Sequence, residues 1–252
     1  MGFHYTKLQA IAKRMYRTFF PVPKSPWTDG YVEDICAVAL VPPQKLIAFF
    51  TSMLEKLKAL KGDAVGDYLE FGVFNGNSMS SMYKASHATG CTTRFFGFDA
   101  FEGLPANAEN EDDGVWKKGY YACSFDTMKM CLQGKGVNPD DIHWIKGWYT
   151  ETLTQDLVET HKLANLGLVF IDCDTYSSSK AVLDFIAPLL KSPAIVCFDD
   201  WKLNDLDIKG MGEYRAFNEF MASNTQIHAE ELRSYNRKSK TFLLTPRAYS
   251  SL

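Results

Sequence analysis

Acids close two of the most apolar runs in the chain. Leu168-Val169-Phe170-Ile171 leads into Asp172-Cys173-Asp174, and Ala194-Ile195-Val196-Cys197-Phe198 leads into Asp199-Asp200. Short β-branched runs of this kind suit parallel strands covered on both faces, so the acids should fall at the carboxyl ends of neighbouring strands. Open α/β sheets bind ligands at that edge. Adjacent strands lie about 5 Å apart, and carboxylates crowded there raise one another's pKa unless a cation or a shared proton relieves the repulsion. The simplest cation is a hard divalent one, and all-oxygen ligation points to magnesium, calcium or manganese rather than zinc. Asp174, just ahead of Thr175 and Ser177 to Ser179, can alternatively be read as the cap of the following helix.

A second constellation lies upstream. Leu69-Glu70-Phe71-Gly72-Val73-Phe74-Asn75-Gly76-Asn77-Ser78 reads as a strand, a Gly-x-x-x-Gly turn and the opening of a helix. Glycines there let a ligand approach backbone that a Cβ would block. The next strand ends in Asp99, placed to accept hydrogen bonds from ribose hydroxyls. Neither the Gly-x-Gly-x-x-Gly of a dinucleotide site nor the Gly-Lys-Ser/Thr of a phosphate-gripping loop is present. A nucleoside without a pyrophosphate fits better.

The elements that position these groups follow a strand-helix alternation from Asp67 onward: strands Tyr68 to Val73, Arg94 to Asp99, Ile142 to Lys146, Leu168 to Asp172 and Ala194 to Asp199, with helices Ser78 to Ser86, Glu151 to His161 and Ser179 to Leu190 between them. This pattern predicts a parallel sheet with right-handed crossovers. Ile227 to Leu232 and Thr241 to Leu244 suit an antiparallel hairpin closing one edge. Residues 1 to 64 form an N-terminal helical extension, a lid or dimer contact ahead of the domain 65 to 252. Its helices are Lys7 to Phe20 and Gln44 to Leu60, split by a Pro-rich connector, and the second is a credible docking helix. Leu104 to Lys135, long, acidic and aromatic, reads as a lid that orders over the site when ligand binds. Met211-Gly212-Glu213-Tyr214-Arg215-Ala216 opens a helix, with Arg215 a surface charge.

With 252 residues, 46% hydrophobic and 23% charged, the chain suits one α/β domain, and a net charge of −3 gives no electrostatic case for nucleic acid or membrane. Six scattered cysteines without a C-x-x-C pair, two of them (Cys173 and Cys197) in or beside buried strands, point to a reduced, cytoplasmic protein. No leader segment is evident, and no run approaches the ~18 apolar residues of a membrane span. The five histidines lack ligand spacing, although His143 could reach a pocket.

Asp67-Tyr68-Leu69-Glu70-Phe71-Gly72-Val73-Phe74-Asn75-Gly76, Phe96-Gly97-Phe98-Asp99-Ala100-Phe101-Glu102-Gly103-Leu104-Pro105, Lys146-Gly147-Trp148-Tyr149-Thr150-Glu151-Thr152-Leu153 and the two acidic strand ends, in this order, resemble macrocin O-methyltransferase and its relatives. The resemblance covers about residues 65 to 220. It implies a Rossmann-like class I methyltransferase fold, a mostly parallel seven-stranded sheet with an antiparallel edge hairpin and added N-terminal helices. It also implies S-adenosylmethionine as cofactor, magnesium, and a sugar hydroxyl of a natural product as small-molecule acceptor. Carried over by motif, Glu70, Gly72 and Gly76 shape the methionine and ribose pocket, Asp99 binds the ribose and Trp148 lies near the adenine. Asp172, Asp199 and Asp200 hold magnesium, and Asp174 is the general base. One departure is Asn75-Gly76-Asn77, where the family usually has an Arg-Gly-Gly-like turn.

Two rivals remain at this stage. Asp172-Cys173-Asp174-Thr175 also matches the D-x-D-x-T of haloacid-dehalogenase-type phosphatases, but only one helix's length separates it from Asp199, and the glycine turn is left without a role. A non-catalytic S-adenosylmethionine-binding protein needs the turn and Asp99 but no acid cluster.

Overall fold

The computed structural model describes residues 32–249. The predicted helix Lys7 to Phe20 lies outside them. The apolar runs form five mutually parallel strands, β1 (Asp67–Phe71), β2 (Phe95–Asp99), β3 (Ile142–Lys146), β4 (Leu166–Ile171) and β5 (Ala194–Phe198). With β6 (Ile227–Leu232) and β7 (Lys240–Pro246) they make one sheet of order β3-β2-β1-β4-β5-β7-β6. β7 runs antiparallel between β5 and β6, so the tail hairpin closes the edge as the sequence implies. β1, β4 and β5 are buried along their whole length, which is why they read as unbroken apolar runs. The order reverses between β1 and β4, and this switch point is where a ligand crevice opens in such sheets.

Helices cover both faces. One side carries α1 (Val32–Ala37), α2 (Pro43–Lys61), α3 (Asn77–Thr89) and α4 (Phe125–Gly134); the other carries α5 (Tyr149–Thr152), α6 (Gln155–His161), α7 (Tyr176–Ile186) and α8 (Gly212–Ser223). The single predicted helix Glu151 to His161 is two, broken at Leu153, and a continuous helix at Ser179 to Leu190 gives way to a 3₁₀ turn beyond Ile186. α2 is not a free docking surface. Leu46, Phe49, Phe50, Met53, Leu54 and Leu57 all face this chain's own core, where Phe50 meets Phe170 edge-on at 5.5 Å.

The cysteines depart from the fully reduced expectation. Cys36 and Cys131 form a disulfide that staples α1 to α4, whereas Cys91, Cys123, Cys173 and Cys197 are buried thiols. His143 is exposed, stacks on Phe96 at 4.7 Å and does not line the cavity at the carboxyl edge of the sheet. No described helix is long and apolar enough to cross a membrane.

Gly72 sits where the carboxyl ends of β1 and β4 converge. Its φ is 88°, and a Cβ would stand 1.8 Å from the Asp172 carbonyl oxygen. Only glycine permits that approach. Gly72→Ala is therefore expected to cost about 2–4 kcal/mol of stability by forcing the strand ends apart. Urea unfolding measures this; a loss under about 0.5 kcal/mol would contradict the close approach.

Candidate active site

A cavity of about 1050 Å³ opens at the carboxyl edge of the sheet. Gly72 and Phe74 from the β1 turn, Asp99, Trp148, Asp172, Asp174, Asp199 and Asp200 all line it. The topology thus brings both sequence constellations to one space. Glu70 and Gly76 do not reach it. Glu70 is fully buried behind the turn, accepting from the Tyr68 hydroxyl at 2.5 Å and the Ser78 hydroxyl at 2.6 Å, and burial pushes its carboxyl up to about 8. Gly76, at φ 72°, faces Leu132 of α4, whose Cδ2 a Cβ would approach to 2.6 Å. Both residues support the turn from behind.

Asp99 has two tasks. Its Oδ2 accepts from the Val73 and Phe74 N–H groups at 2.8 and 3.0 Å, and its Oδ1 from Phe101 N–H at 2.7 Å. Burial raises its pKa and these three bonds oppose the rise. The carboxylate ties the turn to β2, and Oδ1, which accepts a single bond, keeps a second lone pair for a ligand.

The departed turn has its own function. Asn75 Nδ2 donates to the Ile35 and Val38 carbonyls at 2.8 and 2.7 Å, and Asn77 Nδ2 to the Val41 carbonyl at 3.1 Å. The two asparagines pin the strap that links α1 to α2, whose Leu40, Val41, Pro42 and Lys45 line the cavity.

The acids converge. Asp172, Asp199 and Asp200 each offer a carboxylate oxygen, all within 4.8 Å of one another, a set that fits one hard divalent cation. Asp172 is raised well above the usual carboxylate range by burial and by the charges of Asp199 and Asp200. Asp199 is raised by burial, offset by the Tyr235 hydroxyl that donates to it and by Lys238. A cation or a shared proton would relieve the charge crowded there.

Asp174 is not the helix cap. Thr175 takes that role, its Oγ1 accepting from Ser178 N–H at 3.3 Å. Asp174, at φ 65°, instead couples to Asp200, and burial followed by the charges of Asp200 and Asp172 pushes its pKa well up.

Three contributors were not legible as site residues. Tyr235 holds Asp199 from the β6–β7 loop. Glu213, 1% exposed at the start of α8, accepts from the Asp200 N–H at 3.0 Å, and its other oxygen has no hydrogen-bond partner. Tyr121, whose pKa burial and the four aspartates push up, faces the cluster from the insert. Glu213 lay in a quoted run, but nothing in its spacing links it to Asp200.

The insert itself is folded, with α4 and two short 3₁₀ turns (Ala106–Asn110 and Asp112–Gly114) where the sequence showed no regular pattern. Its acids are latches. Asp112 accepts from Tyr176 N–H at 2.8 Å, Gly212 N–H at 2.9 Å and Trp116 Nε1 at 3.2 Å, while Glu111 accepts from Ser177 N–H and hydroxyl, both at 2.8 Å. The N-termini of α7 and α8 are thereby capped from the insert. Arg215 pairs with Glu219 at 2.9 Å over the Tyr176 ring, outside the cavity lining.

Comparison with known proteins agrees with this arrangement. The O-methyltransferase NovP superposes with a TM-score of 0.60 at 18% identity, covering 79% of each chain. The Streptomyces achromogenes O-methyltransferase TomG, in complex with SAM, superposes at 0.54 with 15% identity, covering 92% of this chain and 95% of that one. These likenesses establish the fold. A curated relative, the 8-demethyl-8-(2,3-dimethoxy-alpha-L-rhamnosyl)-tetracenomycin-C 4'-O-methyltransferase of Streptomyces olivaceus, is 27% identical over 146 residues, 55% of this chain. The match spans about half of that relative, 54% of its length. The family model of macrocin-O-methyltransferase (TylF) matches residues 41–235, more than half of the sequence, and the chain belongs to that family.

Proposed function

We propose that the protein is an S-adenosylmethionine-dependent O-methyltransferase acting on a hydroxyl of a sugar or glycosylated natural product, with magnesium held by Asp172, Asp199 and Asp200. The observation that carries this reading is the shared cavity: the glycine turn and Asp99 open onto the same space as the acid triad. A phosphatase would use the acids but leave the turn and Asp99 idle. A non-catalytic binder would need no buried triad at all.

When bound, S-adenosylmethionine supplies a methyl group already activated by its sulfonium. The bound cation supplies Lewis acidity that lowers the pKa of an acceptor hydroxyl. The chain's task is positioning and proton removal. The turn from Gly72 to Phe74, Asp99 and Trp148 hold the nucleoside side of the cavity. Asp174 takes the hydroxyl proton, its carboxylate kept apart from helix capping by Thr175. Trp116, Tyr120 and Tyr121 roof the acceptor side and exclude water. Glu213 and Tyr235 orient Asp200 and Asp199 as groups that orient ligands do.

Transfer of labelled methyl to a panel of glycosylated and phenolic acceptors, with and without chelator, tests the function; full activity in chelator would reject the metal, and no S-adenosylhomocysteine binding by calorimetry would reject the cofactor. Metal and base should also separate. Asp200→Asn weakens metal affinity and recovers in part at high magnesium, whereas Asp174→Asn keeps cofactor and metal binding yet loses roughly 10²- to 10⁴-fold in turnover that magnesium does not restore. Near-normal turnover in Asp174→Asn would remove it as the base. For the lid, Asp112→Ala strips an acceptor from two helix N-termini, an expected loss of about 2 kcal/mol. Hydrogen exchange across residues 104–121 should quicken in that variant, and unchanged protection would show that the lid is held by other contacts.

A further inference from the structure

The function proposed above leaves the rim of the cavity unexplained. Lys45, Arg237 and Lys238 line it. Their elements are neighbours: Phe49, one turn after Lys45 in α2, meets Tyr235 of the β6–β7 loop edge-on at 5.0 Å, and Arg237 and Lys238 follow Tyr235 closely in the loop. The Lys238 carbonyl accepts from the Lys202 N–H at 2.9 Å, so this loop is tied to the segment that follows Asp199 and Asp200. All three cationic side chains are exposed, and none has an ion-pair partner among the described residues. Lys238 also faces Asp199, but Lys45 and Arg237 have no such claim. The N-terminus of α2 adds its positive end, since Pro42 provides no side-chain cap. The grouping is local, because the chain as a whole carries a net charge of −3.

A cavity with an acid floor and a cationic rim sorts the two ends of its ligand. An uncharged glycoside has no group that uses the rim, and an anionic group is repelled from the floor. A planar guanidinium beside ammonium groups matches phosphate oxygens in charge and in hydrogen-bond geometry. We propose that the acceptor is a phosphorylated sugar, as a monoester or a diphosphate, with Lys45, Arg237 and Lys238 gripping the phosphate while the sugar hydroxyl faces Asp174. This assignment rests on the methyltransferase reading and names its substrate class. It also predicts faster capture of the acceptor at low ionic strength.

The test is calorimetry on the full chain loaded with S-adenosylhomocysteine and magnesium, titrated with inorganic phosphate, pyrophosphate, glucose 1-phosphate, UDP-glucose and methyl glucoside. At least one phosphate-bearing probe should bind ten or more times tighter than methyl glucoside. In Lys45→Gln/Arg237→Gln, which spares Lys238, that preference should fall at least tenfold while S-adenosylhomocysteine affinity changes less than twofold. Equal affinity for charged and neutral probes would overturn the proposal, as would a preference that the double variant retains, which would assign phosphate binding to the metal alone. Failure of S-adenosylhomocysteine to bind would instead strike the methyltransferase reading, so the two failures are distinct.

Discussion

Three carboxylates forced within 4.8 Å of one another at the ends of β4 and β5 set the main physical constraint on this molecule. Left alone they repel in a partly buried space: burial and then the charges of Asp199 and Asp200 raise the proton affinity of Asp172, and burial raises that of Asp199. The surrounding residues hold the cluster in place against that repulsion. Gly72 lets β1 approach the Asp172 carbonyl, Tyr235 donates to Asp199, and Glu213 accepts from the Asp200 backbone. None of these contacts neutralises the charge, since Glu213 adds another acid. A bound cation or a shared proton would turn the arrangement from costly to favourable.

The acidic insert solves a different problem with the same chemistry. The first N–H groups of α7 and α8 have no partner within their own helices and need one from elsewhere. Asp112 and Glu111 reach across from the insert and accept from Tyr176, Ser177 and Gly212. Helix stability and the position of the insert are therefore one set of bonds. Trp116, 2% exposed and hydrogen-bonded to Asp112, anchors the same segment on its apolar side with Leu104, Ala108 and Leu206.

The parallel strands were legible because burial on both faces leaves a continuous apolar run with no competing period, and the acids at their ends followed from that. Ile142 to Lys146 and Ile227 to Leu232 match residue for residue. Helix α4 was not legible, because Phe125 to Gly134 buries only Met128, Cys131 and Leu132 among polar neighbours and its apolar period is short. The Cys36–Cys131 pair joins residues far apart in the chain, and neither cysteine carries a local sign of its partner. Glu70 shows the opposite limit: its motif placed it correctly in the chain, yet the alternation along β1 turns its side chain toward Tyr68 and Ser78 rather than to the cavity.

The Asn75-Gly76-Asn77 turn shows how a departure from a family pattern can carry meaning of its own. An arginine there would place a charge beside the turn; two asparagines instead place amide donors that reach one carbonyl of α1 and two of the strap. Lys135 Nζ donates to the Asn75 carbonyl at 3.2 Å, and the disulfide fixes the strap's helix α1 to α4, the helix on which Gly76 packs. The turn, the strap and α4 thus form one unit. The strap and the first turn of α2 bring Leu40, Val41, Pro42 and Lys45 to the cavity lining, so the two asparagines that hold the strap also help to set where Lys45 stands. In this chain the glycine turn and the mouth of the cavity are linked through side-chain amides, and a change at either asparagine would be felt at both.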